Sequence, residues 1–296
     1  MKTRKIQNAL FPTPPDERDI KFGAIHTPIN LNEIAGKEFD VFKPTIKDQG
    51  NTLKCTAYSS SYLLEAHEGD RISEDYIWKN VCRELNDKDP QGTDLRTIAK
   101  VVQKYGAIYK KDEPEWVKTA SEEEKNDWTK WDASLDEKAK EHAQKTYFWI
   151  TQDSYPSLGD AIRAALWQYR DKNNLILTGA MWRNSWTSVS KGVIQETYIP
   201  EESTSGHAFA LSGQIIIGGK PYIKNPESLG TDDGDNGYYY FPVNVLSREL
   251  AFGALMFTDM PPEKAKDMQE KGITLQDNWL IDLAKRIKFF VLEIFY

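Results

Sequence analysis

The pattern of the chain changes once, near residue 146, and this limits it to a fold with a helical part followed by a sheet part. Residues 55–67 carry Ala57, Tyr58, Tyr62 and Leu64 at helical spacing. Ser73 reads as the N-cap of a second helix, and the turn at Gln91-Gly92 leads into a third helix that Gly106 ends. After 146 the apolar runs are short, β-branched or aromatic, and bounded by Gly, Pro and Asn. Strands are predicted at 147–150, 175–180, 207–212, 222–225 and 238–241, with one helix over 157–169 among them. At 296 residues, 40% of them hydrophobic, the chain can fill the core of two lobes.

Around these lobes the composition marks three further segments. Residues 1–40, rich in Pro, Asp and Asn, read as an extended lead-in, and 41–112 as the helical lobe. Residues 113–145 read as a charged helical insertion, with Trp116, Trp128 and Trp131 as packing anchors and Ser121-Glu-Glu-Glu as a capping box. Residues 146–260 form the strand-rich lobe, and 261–296 a C-terminal amphipathic helix. Its apolar stretch, 279–296, is interrupted by Asp282, Lys285, Arg286, Lys288 and Glu293, too many charges for a membrane span. That stretch is expected to dock on the chain's own body or to meet a partner protein, a second copy or a membrane surface.

A formal charge of −7 argues against nucleic acid as a partner. Two cysteines, Cys55 and Cys82, are too few for a disulfide-built secreted domain. The basic start lacks an apolar run of signal-peptide length, so a cytoplasmic or other reducing compartment is expected. Thr231-Asp-Asp-Gly-Asp-Asn-Gly237 lacks the spaced ligands of a calcium loop and reads as a tight turn. The chain carries no His-Glu-x-x-His, no CxxC, no P-loop and no dinucleotide glycine pattern, and neither a metal nor a cofactor is expected.

Four residues carry the parts of thiol-dependent acyl transfer. Cys55 opens a helix, where the dipole favours thiolate, and Lys54 beside it adds a positive charge. His207, in Ser205-Gly-His-Ala-Phe-Ala-Leu211, can take the thiol proton. Asn225, in Tyr222-Ile-Lys-Asn225, can orient the imidazole, and Gln49, six residues before Cys55, can donate to an oxyanion. Cys82 suits a small buried hydrophobe.

The order Gln49, Cys55, His207, Asn225, each in its local context, resembles the papain-like cysteine peptidases of bacterial or phage type over about residues 12–112 and 146–258. The resemblance implies an α+β, two-lobed fold: a helical lobe and a β-barrel-like lobe with a cleft between them, here with a C-terminal helix added. It implies a cysteine-type endopeptidase acting on a peptide or protein substrate through a thioester acyl-enzyme. Under it Cys55, His207, Asn225 and Gln49 are catalytic, and Gly92, Thr93, Asp94, Gly206 and Ala208 bind substrate, Gly92 by pairing with its backbone. Asp94 either shapes a pocket or caps the helix at 95.

The chain departs from the family in places. Thr52 stands where secreted members have a bridged cysteine, Leu53-Lys54 and Thr56 replace Gly-Ser and Trp around the nucleophile, and Asn225 is not followed by Ser-Trp-Gly. These departures leave two alternatives: an amidase, isopeptidase or transpeptidase with the same triad, or a catalytically weak binding or assembly protein on the same fold.

Overall fold

The computed structural model describes residues 9–196, 204–250 and 252–275. The chain opens with a short helix α1 (Phe22–Ile25) and then builds a helical lobe from α2 (Cys55–Glu68), α3 (Glu74–Leu85) and α4 (Leu95–Tyr105). Helix α2 is buried on nearly every side, because α3 and α4 cover one flank and the sheet lobe the other. That is why its sequence shows apolar and small residues all round rather than a clean stripe. The Ser73 hydroxyl accepts from the Tyr76 N–H to start α3, and Asp94 accepts from the Arg96 and Thr97 N–H groups to start α4.

The 113–145 insertion folds as short helical turns, including α5 (Glu122–Asn126) and α6 (Ser134–Lys140), and packs on the outer face of α3. Trp131 is buried edge-on against Tyr76 and Trp116. Asp136 accepts from Tyr76 Oη, Lys79 Nζ and Arg83 Nη1 at 2.7–2.9 Å. The Ser121–Glu124 capping box is formed. The insertion therefore belongs to the helical lobe.

The second lobe holds two antiparallel sheets. Strands β1 (Phe39–Asp40), β5 (Gly213–Ile217), β6 (Lys220–Pro226) and β7 (Tyr238–Pro242) form one, in that order; β2 (Thr146–Trp149), β8 (Ala254–Thr258), β3 (Ile176–Arg183) and β4 (Thr204–Leu211) form the other. Neither closes, which corrects the expected barrel-like lobe: β4 passes through Ser212 directly into β5, so one continuous ribbon serves two open sheets. Helix α7 (Leu158–Tyr169), capped by Ser157, packs on α8 (Val243–Glu249). Helix α9 (Pro262–Lys271) buries Ala265 and Met268 beside α1. The apolar stretch expected over 279–296 lies outside the described residues. Among the described residues no helix is long and apolar enough to cross a membrane, and no group of His, Cys, Asp and Glu is arranged to hold a metal.

One apolar core runs through both lobes and includes Leu63 and Leu64 of α2, Ile98 and Val102 of α4, and Phe209 and Leu211 of β4. Helix α2 lies along β4, and this contact brings residue 55 to residue 207.

Candidate active site

Cys55 is the first residue of α2, so its N–H is among those no carbonyl within the helix can take. Its Sγ accepts from the Ala208 N–H at 3.4 Å. His207 sits on β4 opposite Ala180 of β3. The Cys55 thiol neighbours the imidazole, whose Nδ1 is buried with no hydrogen-bond partner. Both residues are fully buried, at 0% exposure.

The far side of the imidazole corrects the sequence reading. His207 Nε2 is 2.8 Å from Glu227 Oε1. Asn225, expected to orient His207, lies one step further out: its Nδ2 donates to Glu227 Oε2 at 3.3 Å, and its Oδ1 is buried without a partner. The cause is the end of β6. The strand runs to Pro226, and the next residue turns its side chain toward β4. The signal was in the sequence two residues on. Glu227-Ser-Leu-Gly230 keeps the Ser and Gly of the family's Asn-Ser-Trp-Gly, with Glu in place of Asn and Leu in place of Trp.

A carboxylate here does what an amide cannot. Burial alone would push the His207 pKa down, but the negative charge of Glu227 overrides it, and the thiol adds to the effect; the imidazole is raised to about 10. The carboxylate is itself held, its Oε1 accepting from the Ser228 N–H at 2.8 Å and the Ser228 hydroxyl at 3.2 Å. Trp182, which sequence reasoning did not single out, closes the site. It stands diagonal to His207 across the β3–β4 pair, with ring centroids 5.2 Å apart and planes at 78°. A tryptophan from another strand thus shields the imidazole, where the family uses the one after Asn-Ser.

Gln49 is held by hydrogen bonds through its backbone and both ends of its amide. Its N–H donates to Ser228 O at 2.8 Å, its Oε1 accepts from the Ser228 hydroxyl at 2.6 Å, and its Nε2 donates to Thr52 O at 3.1 Å. That leaves one amide hydrogen uncommitted beside the head of α2. Ser228 thereby fixes Glu227 and Gln49 together.

Lys54 does not supply a cation to the cleft. Its Nζ turns away, 2.8 Å from Asp75 Oδ1 and paired with Glu122 of the insertion. Two of the other histidines have structural partners: His26 bridges Phe22 O and Tyr169 Oη, with burial lowering its pKa to about 4, and His142 meets Glu68 at 2.7 Å. Burial pushes the Cys82 thiol up to about 12.

Three of the expected substrate-binding positions, Gly92, Thr93 and Gly206, lie against the chain's own residues 9–11. Gly206 O accepts from the Ala9 and Leu10 N–H groups, both at 3.1 Å. Thr93, rather than Gly92, makes the backbone pairing: its N–H donates to Ala9 O at 3.0 Å and its carbonyl accepts from the Phe11 N–H at 3.1 Å. Gly92 permits that approach, since at its φ of +133° a Cβ would collide with the Ala9 carbonyl. Ala208 is buried and presents its N–H to the thiol. Asp94 is the α4 cap: its Oδ1 accepts from the Arg96 and Thr97 N–H groups and its Oδ2 from the Thr97 hydroxyl.

No protein-family profile and no curated protein sequence matches this chain. Solved structures do. The chain is similar to xylellain, a cysteine protease from Xylella fastidiosa, at 19% identity over 86% of this chain and 98% of that one, with a TM-score of 0.66. It is also similar to a digestive procathepsin L 3 of the Tenebrio molitor larval midgut, at 14% identity over 81% and 76% with a TM-score of 0.57. A procathepsin B from Trypanosoma congolense matches at 13% identity over 79% and 81%, with a TM-score of 0.53. The fold is papain-like.

Proposed function

We propose that the protein is a thiol peptidase that hydrolyses peptide bonds through a thioester acyl-enzyme, with Cys55 as nucleophile, His207 as acid and base, and Glu227 as the group that orients and charges the imidazole. The observation that carries this reading is the line Cys55 thiol, His207, Glu227, with Nε2 to Oε1 at 2.8 Å in a fully buried site. A thiol, a base and a third group holding the base are the minimum for nucleophilic acyl transfer. The solved structures of like fold are cysteine proteases or their precursors, which supports the same class.

In the reaction, His207 Nδ1 takes the Cys55 proton, and Glu227 stabilises the imidazolium. The thiolate attacks the peptide carbonyl carbon. The oxygen that becomes negative is met by the free Gln49 amide hydrogen and the Cys55 N–H. The imidazolium returns its proton to the leaving amine, which departs and leaves a thioester on Cys55. His207 then takes a proton from water, the hydroxide equivalent attacks the thioester, and the acid product leaves as Cys55 regains its proton.

The test is cleavage of a mixed peptide library by wild type, Cys55→Ala, His207→Ala and Glu227→Ala, with mass spectrometry of any Cys55 adduct. Cleavage in wild type, abolished by Cys55→Ala and His207→Ala, is expected. No cleavage by a folded wild type whose Cys55 and Cys82 react equally slowly with thiol reagents would overturn the proposal and favour the binding-protein alternative.

A further inference from the structure

The residue before the nucleophile is tied to the insertion, the stretch that lies outside the family resemblance. Lys54 is the N-cap residue of α2, so its carbonyl and the Cys55 N–H belong to one peptide unit. The carbonyl accepts from the Tyr58 N–H at 3.0 Å. The side chain is buried, and its Nζ pairs with Asp75 of α3 at 2.8 Å and with Glu122 of α5. Lys125 of α5 meets the same two carboxylates, Glu122 at 3.0 Å and Asp75 at 3.5 Å. Two cations and two anions therefore alternate in a closed set, one lysine and one acid from each of the helical lobe and the insertion. Lys110 stands at its edge, 3.8 Å from Asp75.

This set anchors one end of the segment that carries both oxyanion donors. At the other end Gln49 is fixed on Ser228, and the Thr52 N–H and hydroxyl return to Gln49 O at 3.2 and 2.8 Å, which closes residues 49–52 into a turn. Between that turn and α2 the Lys54 side chain is the anchor. A cavity of about 340 Å³ beside it, bounded by residues 51–54, residues 89–91, Glu122 and Asn126, leaves the segment room to shift. Without Glu122, Lys54 and Lys125 would share Asp75, and one positive charge beside the head of α2 would lose its partner. Oxyanion donors act only when aimed at the developing charge, and a misplacement of about 1 Å costs up to about 10²-fold in rate.

We infer that Lys54 and Glu122 are a positioning pair for the oxyanion site, through which the insertion holds the Cys55 N–H and the Gln49 amide in register. Neither residue touches the reacting atoms; both act through the peptide unit that joins Lys54 to Cys55. The inference rests on the acyl-transfer reading of Cys55 and His207.

The experiment uses the full chain as wild type, Glu122→Gln, Glu122→Asp, Lys54→Met and the double variant Lys54→Met with Glu122→Gln, and takes Lys118→Ala as a control on the same insertion. Glu122 is half exposed on its outer side, so its variants are expected to fold. Three quantities are read: kcat and KM on a cleaved peptide, the affinity of a peptide aldehyde, and the rate of Cys55 alkylation by iodoacetamide. The aldehyde adds the thiol across its carbonyl and sets an oxyanion-like oxygen on the donors; alkylation makes no such oxygen. Expected for Glu122→Gln is a kcat lower by about 10–10²-fold, less than the ~10²–10³ of losing a donor outright, with KM nearly unchanged and aldehyde affinity down by a like factor. Alkylation of Cys55 should not fall, Glu122→Asp should recover part of the loss, and the double variant should be no worse than Lys54→Met. A folded Glu122→Gln with wild-type kcat and aldehyde affinity would overturn the pair, and so would alkylation that falls as far as kcat. A wild type that cleaves no peptide, yet binds the aldehyde more tightly than Glu122→Gln does, would support the pair and overturn the peptidase proposal. A wild type that neither cleaves nor binds the aldehyde would overturn both.

Discussion

Around Lys47 in the helical lobe, a buried ammonium meets Glu65 at 2.6 Å, Glu74 at 2.8 Å and the Ser61 hydroxyl at 2.5 Å. Around His207 in the sheet lobe, a buried imidazole meets one carboxylate, a thiol and a wall of rings formed by Trp182, Phe209, Tyr239 and Phe241. In the first region each charge has several opposite charges within reach, with Arg71 and Lys110 adding to the set. Glu74 is held down to about 2, burial opposing this and Lys47 and Lys110 overriding it. In the second region the balance rests on one pair. A buried group whose charge depends on a single partner can exchange a proton during a reaction, and one with many partners holds the structure.

Breaking that single pair should have the largest effect. Glu227→Ala is expected to lower kcat/KM by about 10²–10⁴-fold, the usual weight of a positioned proton-transfer system. Glu227→Gln sharpens the point through pH. The folded pKa of His207 is raised to about 10 above an ordinary 6.5, so the imidazolium and its stabilisation are fully present below 6.5 and lost as pH rises through 10. The wild-type alkaline limb of kcat/KM should fall near 10, and in Glu227→Gln it should move down toward the ordinary imidazole range; a pH profile with an unmoved limb would refute the carboxylate's role.

On the other side, Lys47→Met leaves Glu65 and Glu74 buried with weakened compensation. A loss of about 3–5 kcal/mol in denaturant unfolding is expected. The active site should feel it too, since the Lys47 N–H donates to Tyr62 Oη, which donates to Glu227 O. A smaller effect belongs to Asn225→Ala. Removing a donor to the Glu227 carboxylate should lower kcat about tenfold with KM nearly unchanged, in line with one hydrogen bond to a charged group. If Asn225 were the residue on His207, the loss would match that of Glu227→Ala. The smallest change is expected at Lys118→Ala, whose partner Glu115 is 84% exposed: within about 0.5 kcal/mol by thermal unfolding.

Much of the helical lobe was legible because its signals are local. A serine at 73, an aspartate at 94 and the Ser121–Glu124 pair cap helices through neighbours two or three residues away. The strands with long aromatic or aliphatic runs were legible for the same reason. The two-residue β1 was not, nor were β5 and β8, because what makes each a strand is the partner across the sheet. Lys54 misled in the same way. Sequence gives its distance to Cys55 along the chain, and only the fold shows that its ammonium reaches Asp75 and Glu122 on the other side.

The sequence by itself determined that a cysteine would open a helix six residues after a glutamine, and that a histidine would stand in a buried strand after the pattern changes to strands. Helix caps, spacing and alternation act within a few residues, so they are readable without a fold. Tertiary structure decided which carboxyl or amide reaches the imidazole, which tryptophan covers it and what lies against Thr93 and Gly206. Those outcomes depend on where β6 ends, how β3 pairs with β4, and the absence of a side chain at Gly92 and Gly179, which lets Ala9 and Leu10 come in. They are decided by contacts between residues tens to well over a hundred positions apart, which no local pattern encodes.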